Sequence, residues 1–308
     1  MDTSRTQADP DELDGVYAGL RPLLLSIAYE MVGAVGEAED IVQEAFLRFH
    51  REVDAGREVE SPKAWLSTVT TRLAINHVKS ARVRRETYVG TWLPEPLLTD
   101  AAPDVARHVE SADALSMAFL VLLERLGPVE RAVFLLRDVF DFPFDEIAAI
   151  VGKSEDNCRQ IAVRARRHVQ DRKPRFEASR KRREELAQRF FEAVGAGRTD
   201  GLVDLVAADV VLYTDGGGKG AALKRPLYGR EHVIRLFGSY RPEVLGAVRQ
   251  RAAEINGQPG VVFFDAESRA VLVMALDVAG GQVVAVRTIT NPEKLRHLDE
   301  GPERDPAD

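Results

Sequence analysis

Phe144-Asp145-Glu146-Ile147-Ala148-Ala149-Ile150-Val151-Gly152-Lys153-Ser154-Glu155-Asp156-Asn157-Cys158-Arg159-Gln160-Ile161-Ala162-Val163-Arg164-Ala165-Arg166-Arg167-His168-Val169 is the stretch that decides the architecture. Phe144, Ile147, Ala148 and Val151 fall at offsets 0, 3, 4 and 7, one face of a helix. Gly152-Lys153-Ser154 then breaks the pattern; Ser154 suits an N-cap, and Glu155 and Asp156 suit the positive end of the next helix. In that helix Cys158, Ile161, Ala162 and Ala165 share an inward face. Asn157, Gln160, Arg164 and Arg167, at offsets 0, 3, 7 and 10, form an outward stripe. Two helices joined by so short a turn are the layout of a helix-turn-helix, and are also common in helical bundles. The stripe separates the readings, because Asn and Gln pair bidentately with adenine, and Arg with guanine or phosphate.

Charge points the same way. The chain carries −7 overall, yet Asn157 to Arg183 holds eleven Lys/Arg against Asp171 and Glu177, a local +9 that leaves −16 for the rest. A second island, Arg72 to Arg85, has five basic residues and no acid. Two basic islands in an acidic chain fit two separated contacts with a polyanion; two solvated helix faces are the alternative. Upstream, Ser61 as N-cap and Pro62 at the first helical position open a helix through Trp65, Leu66, Val69 and Leu73. Arg72, Asn76 and Lys79 share one side of it, continued by Arg82, Arg84 and Arg85, although a helix end also attracts cations through its dipole. Trp65 reads as core, with stacking on an unpaired base as the other role. Between Glu37 and Val53, Ala38, Ile41, Val42, Ala45, Phe46, Phe49 and Val53 form an amphipathic stripe, and Glu37, Asp40 and Glu44 an acidic ridge on the other side.

Composition removes several classes. At 308 residues, 45% hydrophobic and 30% charged, the chain has room for two or three globular domains. No apolar run is longer than that from Ala270 to Leu276, far below the roughly 18 residues of a membrane helix. The acidic N-terminus, with Asp2, Asp9, Asp11, Glu12 and Asp14, does not resemble a secretory signal, so a cytoplasmic protein is expected. Cys158 is the single cysteine, excluding an internal disulfide framework, and reads as core rather than as a redox switch. The six histidines never fall at metal-ligand spacing; no metal and no cofactor are expected.

Gly90, Pro94, Pro96 and Pro103 make Tyr88 to Pro103 an interdomain linker. Helices resume near Ser111, and Gly127-Pro128 separates Met117–Leu126 from Val129–Phe140. After Arg183, Ala187, Phe190, Phe191 and Val194 mark one more helix, followed by a short helix at Leu202–Val206. Strand-like runs follow at Val210–Tyr213, Gly260–Phe264, Val271–Asp277 and Val283–Thr290. The expected architecture is multidomain: an all-α module at 9–88, a linker at 89–110, an all-α helix-turn-helix module at 111–173, an α+β module at 180–298, and an acidic tail at 299–308.

Ala38-Glu39-Asp40-Ile41-Val42-Gln43-Glu44-Ala45-Phe46, then Pro62-Lys63-Ala64-Trp65-Leu66 leading into basic residues, then a helix-turn-helix with Arg164-Ala165-Arg166, together resemble the extracytoplasmic-function (ECF) bacterial sigma factors over roughly residues 11 to 172. Trp92-Leu93-Pro94-Glu95-Pro96, Asp215-Gly216-Gly217-Gly218-Lys219 and Asn291-Pro292-Glu293-Lys294-Leu295 further resemble the subgroup with a SnoaL-like, cone-shaped C-terminal extension. The resemblance implies a partner in core RNA polymerase, docked through Glu37, Asp40 and Glu44, and a second partner in promoter DNA. Arg72, Asn76, Lys79, Arg82, Arg84 and Arg85 would engage the minus-ten element, and Asn157, Gln160, Arg164 and Arg167 the minus-thirty-five element. Trp92, Pro94, Asp215, Lys219, Asn291, Pro292 and Lys294 would dock the extension in a regulatory contact. Asn157-Cys158-Arg159-Gln160 departs from the commonest recognition helix, and no promoter sequence follows from it.

Some relatives of the extension are cyclases or isomerases, so Tyr213, Asp215, Tyr228 and His297 are candidates for acid–base work. His232 and His297 lack partners at a recognisable spacing, and Gly216-Gly217-Gly218 lacks the Lys-Ser/Thr and helix of a phosphate loop. A non-catalytic sigma factor is the expectation. Its rivals are a helix-turn-helix regulator with a ligand-sensing C-terminal domain and a SnoaL-like enzyme with an accessory DNA-binding segment. A small molecule in the C-terminal cavity is a further candidate partner.

Overall fold

The structure is a computed structural model that describes residues 10–85, 88–100, 112–170, 179–239 and 249–300. Both tails, the expected helix start near Ser111, Pro103 and residues 171–178 of the basic run after Val169 lie outside these residues. The chain forms two compact units. One takes residues up to Arg84 and the helices from Phe119 to Gln170; the other takes residues 88–100 and everything from Ser179 to Glu300.

The helical unit begins with α1 (Pro10–Val32), α2 (Val35–Asp54) and α3 (Pro62–Arg85). Every residue from Leu23 to Ala34 is buried, so the second half of α1 is a central helix enclosed on all sides. Against it α2 buries Ala38, Ile41, Val42, Ala45, Phe46 and Phe49, the periodic set read from the sequence. Trp65 is half-buried on α3 with its ring 5.7 Å from that of Phe49, a packing position. Short helices α4 (Ala112–Leu115) and α5 (Met117–Leu123) precede α6 (Pro128–Asp138), α7 (Phe144–Val151) and α8 (Glu155–Gln170). Leu23 and Ile27 of α1 share one apolar core with Val133 and Leu136 of α6, Ile147 and Ile150 of α7, and Cys158, Ile161 and Ala162 of α8. The buried Arg131 guanidinium ties α6 to α1 and to the end of α5, donating to the carbonyls of Met31 at 2.6 Å and Leu123 at 3.0 Å and pairing with Glu124.

The second unit is the α+β module. Its helices are α9 (Arg180–Gly195), α10 (Asp200–Val203) and α11 (Arg230–Ser239). Its strands are β1 (Val206–Asp215), β2 (Leu227–Tyr228), β3 (Arg249–Ile255), β4 (Gln258–Phe264), β5 (Ala270–Ala279) and β6 (Gln282–Ile289). The sheet order is β2-β1-β6-β5-β4-β3, with β1 and β6 parallel and the other pairs antiparallel. The pairing register shifts in β1, at Phe263/Phe264 and at Asp277/Val278, as at a β-bulge. Phe190 of α9 fills the enclosed face, edge-on to Phe237 of α11 at 5.6 Å.

The expected helix at Leu202–Val206 is corrected: α10 stops at Val203, and Val206 already pairs with Val283 in the sheet. Both β3 and α11 escaped the sequence reading. β3 is an edge strand, Arg-Gln-Arg-Ala-Ala-Glu-Ile, without an apolar alternation, and α11 fully buries only Val233 and Phe237.

Candidate nucleic-acid interface and linker site

The helix-turn-helix forms as its residues require. Gly152 ends α7 in the left-handed region at φ 67°, and the Ser154 hydroxyl accepts from the Asn157 backbone N–H at 3.3 Å. Cys158, Ile161, Ala162 and Ala165 are buried, and burial pushes the Cys158 thiol above its ordinary value, as suits a core residue. Asn157, Gln160, Arg164 and Arg167 are exposed together. Their neighbours are tied down: Arg159 pairs with Glu155 at 2.6 Å and Asp156 at 3.1 Å, and Arg166 pairs with Asp138 at 2.7 Å. Arg164 reaches Glu130 only loosely, at 3.9 Å.

Asn76 and Lys79 are exposed on one side of α3. Arg72 is occupied differently from the sequence expectation of an open DNA-facing side chain. Its Nε and Nη2 donate to the carbonyls of Ile150 and Ala149, both at 2.8 Å, satisfying the otherwise orphaned C-terminus of α7. The side chains of Arg82, Arg84 and Arg85 lie outside the described residues. On the acidic helix Asp40 is exposed, Glu44 pairs with Arg48 at 2.7 Å, and Glu37 is engaged by His77 of α3 at 2.7 Å.

The regulatory candidates are brought together in the α+β unit. Asp215, at the end of β1, is wholly buried and its carboxylate takes four donors: the Tyr88 hydroxyl at 2.5 Å, the Leu93 N–H at 2.7 Å, the Gly217 N–H at 3.1 Å and Lys294 Nζ at 2.8 Å. Lys294 also donates to the Leu93 carbonyl and sits over the rings of Trp92 at 4.5 Å and Tyr88 at 5.1 Å. Burial, then the bond to Asp215, raises the Tyr88 pKa above the ordinary phenol value, so Tyr88 remains a donor. Asn291 donates to Tyr88 at 3.0 Å and caps the turn Pro292–Lys294 by accepting from the Glu293 N–H at 3.1 Å. Lys219 pairs with Glu293, which lowers the Glu293 pKa. Gly217, at φ 57°, is required here. A Cβ would lie 2.8 Å from Asn291 Cγ and 3.0 Å from the Tyr88 hydroxyl.

Residues 88–100, expected to be a linker, are therefore an ordered strap on this unit. Pro94 is buried and Pro292 exposed. With no N–H at Pro94 or Pro96, the amides that bond fall at Leu93, at Leu97 to the Asn256 side chain (2.9 Å) and at Thr99 to the Glu254 carbonyl (2.8 Å). The Asn256 N–H returns a bond to the Leu97 carbonyl at 2.8 Å, Leu98 bridges Ile255 antiparallel, and His297 Nε2 contacts the Pro96 carbonyl at 2.8 Å. Asn256-Gly257, at φ 52° and 71°, is the two-residue turn joining β3 to β4 and at the same time the strap's receptor.

The acid–base candidates do not converge. Asp215 and His297 are committed to the strap, Tyr213 stacks on Arg287, itself paired with buried Asp277, and Tyr228 is exposed. The unit also holds a cavity of about 750 Å³ between α9 and strands β3 and β4, and an apolar one of about 360 Å³ between α9 and the sheet. Among the described residues no cluster could hold a metal ion and no helix is long and apolar enough to cross a membrane.

A helix-turn-helix with an open Asn/Gln/Arg stripe, a second basic helix and an appended α+β module define a multidomain DNA-binding protein of the transcription machinery. Residues 16–84 match Sigma-70 region 2 and residues 116–169 match Sigma-70, region 4. The ECF RNA polymerase sigma factor SigJ of Mycobacterium tuberculosis is 38% identical over 91% of this chain and 92% of its own length. The probable ECF RNA polymerase sigma factor SigI of the same species is 32% identical over 94% and 96%. The crystal structure of SigJ superposes with a TM-score of 0.72, covering 91% of this chain and 97% of that one at 35% identity. The chain belongs to the ECF RNA polymerase sigma factors, non-enzymatic subunits that act with core RNA polymerase on promoter DNA in transcription initiation. Its C-terminal module is an α+β unit, as expected.

Proposed function

We propose that this sigma factor reads the minus-thirty-five element with Asn157, Gln160, Arg164 and Arg167, engages the minus-ten element through Asn76, Lys79 and the basic end of α3, and docks on polymerase through the Asp40–Glu44 ridge. The joint exposure of the four stripe residues on α8, beside arginines that are held by acids, carries this reading. It operates in the cytoplasm, where core polymerase and promoter meet. Run-off transcription with purified core enzyme tests it: Arg164→Ala and Arg167→Ala weaken upstream duplex binding, each by about 1–3 kcal/mol for a bidentate base contact, or lower the salt slope for a phosphate contact. Asn76→Ala and Lys79→Ala leave duplex binding intact and impair opening. Equal loss of upstream binding in both pairs of variants would overturn the two-site assignment.

The SnoaL-like module regulates the factor in cis. The strap supports this, since the segment that connects the two helical modules bonds to the α+β unit through Asp215, Lys294, Asn256 and His297. A docked strap restricts how far apart the two DNA-reading modules can be placed, and so biases the promoter-competent population. A small molecule in the unit's cavity is a further partner of this design.

A further inference from the structure

The 750 Å³ cavity lies between α9 and strands β3 and β4, and its size is that of a small-molecule site. Phe191, Ala187, Ala252, Pro259 and Val261 give it apolar walls. Arg183 also lines it. That residue is only 8% exposed, its Nε has no hydrogen-bond partner, and no carboxylate pairs with it among the described residues. A buried guanidinium is always charged, and leaving it uncompensated is costly.

The acids around the cavity have other commitments. Glu254 accepts from Thr99 through Oε1 at 2.7 Å and from Arg180 through Oε2 at 3.2 Å, and Glu184 holds Arg180 at 2.8 Å. Glu192 accepts from Gln188 at 2.9 Å, and Asp100 is exposed. Arg180 thus shares its single charge between the nearest acids on α9 and β3, neither of which pairs with Arg183, so Arg183 keeps its fork of donors for something that enters.

We propose that this cavity binds an apolar molecule bearing one anionic group, a carboxylate, sulfonate or phosphate, with the anion on Arg183 and the body against Phe191 and Val261. The inference rests on the reading of the SnoaL-like module as a holder of a small molecule, and it adds the chemistry that selects the occupant. Because Glu254 both lines the cavity and bonds Thr99 of the strap, occupancy is sensed one residue from the connector.

The test uses two fluorescent probes and the full-length chain: 8-anilinonaphthalene-1-sulfonate, and N-phenyl-1-naphthylamine, the same rings without the anion. Saturable binding of both to the wild type is expected. Arg183→Met weakens the sulfonate by about tenfold or more, the loss of one charge-assisted contact, and leaves the uncharged probe within about twofold. Arg183→Gln serves where the methionine variant fails to melt cooperatively, and Val261→Trp, which fills the cavity, abolishes binding of both probes. Equal sulfonate affinity in wild type and Arg183 variants would overturn the anion assignment while the cavity remained a ligand site. Absence of binding to the wild type, or indifference to Val261→Trp, would remove the ligand reading with it.

Discussion

Glu30 is wholly buried near the end of α1, and neither carboxyl oxygen has a hydrogen-bond partner. Burial raises its pKa well above the ordinary carboxylate value, against a smaller opposing pull from Arg131. In the unfolded chain the same group ionises near its ordinary value, so above that pH folding must take up a proton. Stability contributed by Glu30 is therefore complete below about pH 4.5 and falls as the pH rises toward the folded pKa. Glu30→Gln should be more stable than wild type by about 1–2 kcal/mol near neutral pH, with the gain shrinking toward pH 4.5. Urea unfolding of both proteins at the two pH values checks it, and an identical pH slope would refute the assignment. Burial of this kind is hard to read from sequence. The Leu23–Val32 stretch shows apolar residues, but whether a glutamate among them reaches solvent depends on what covers the helix. The recognition stripe is different, because Cys158, Ile161, Ala162 and Ala165 declare the inner face of α8 and thereby the outer one.

Among the elements, α2, α7 and α8 were legible to within a residue or two, since each carries its own stripe and breaker. The strap was not. Gly90, Pro94 and Pro96 mark a segment that cannot be a helix, which describes a loose linker and a bound extended chain equally well. What distinguishes them is the receptor, and Asp215, Asn256 and Lys294 lie more than a hundred residues away in sequence. Lys294→Met tests how the strap is held. Breaking a buried ion pair generally costs about 3–5 kcal/mol, and here the loss should fall on residues 88–100 and the Pro292–Lys294 turn. Hydrogen exchange at the Leu93 amide should accelerate strongly while the α8 amides stay protected. Unchanged protection at Leu93 would mean that Tyr88 and Asn291 suffice without Lys294.

For the whole molecule, the order of three modules could be read from charge and periodicity: an acid-faced bundle, a basic helix-turn-helix, and a strand-rich end. Regulation is tested at this scale by two truncations. Ending the chain after Arg180 removes the α+β unit, whereas ending it after Asn291 removes Lys294 and His297 and keeps the sheet. Both should change promoter output relative to full length at matched folded concentration, and not in the same way, since only the first also removes the sheet. Equal transcription from all three chains would eliminate control in cis.

The bonds from Lys294 and His297 to the strap span 201 residues each. A chain is made from its N-terminus, at about 5–20 residues per second, so the strap leaves the ribosome roughly 10–40 s before the side chains that fasten it. For about the last 6–25 s of that interval both helical modules have been synthesised while their connector is unfastened. Under control in cis, each newly translated molecule would pass through an unrestrained youth, and the ratio of that time to the time needed to find core polymerase would set how many molecules engage before the fastening closes.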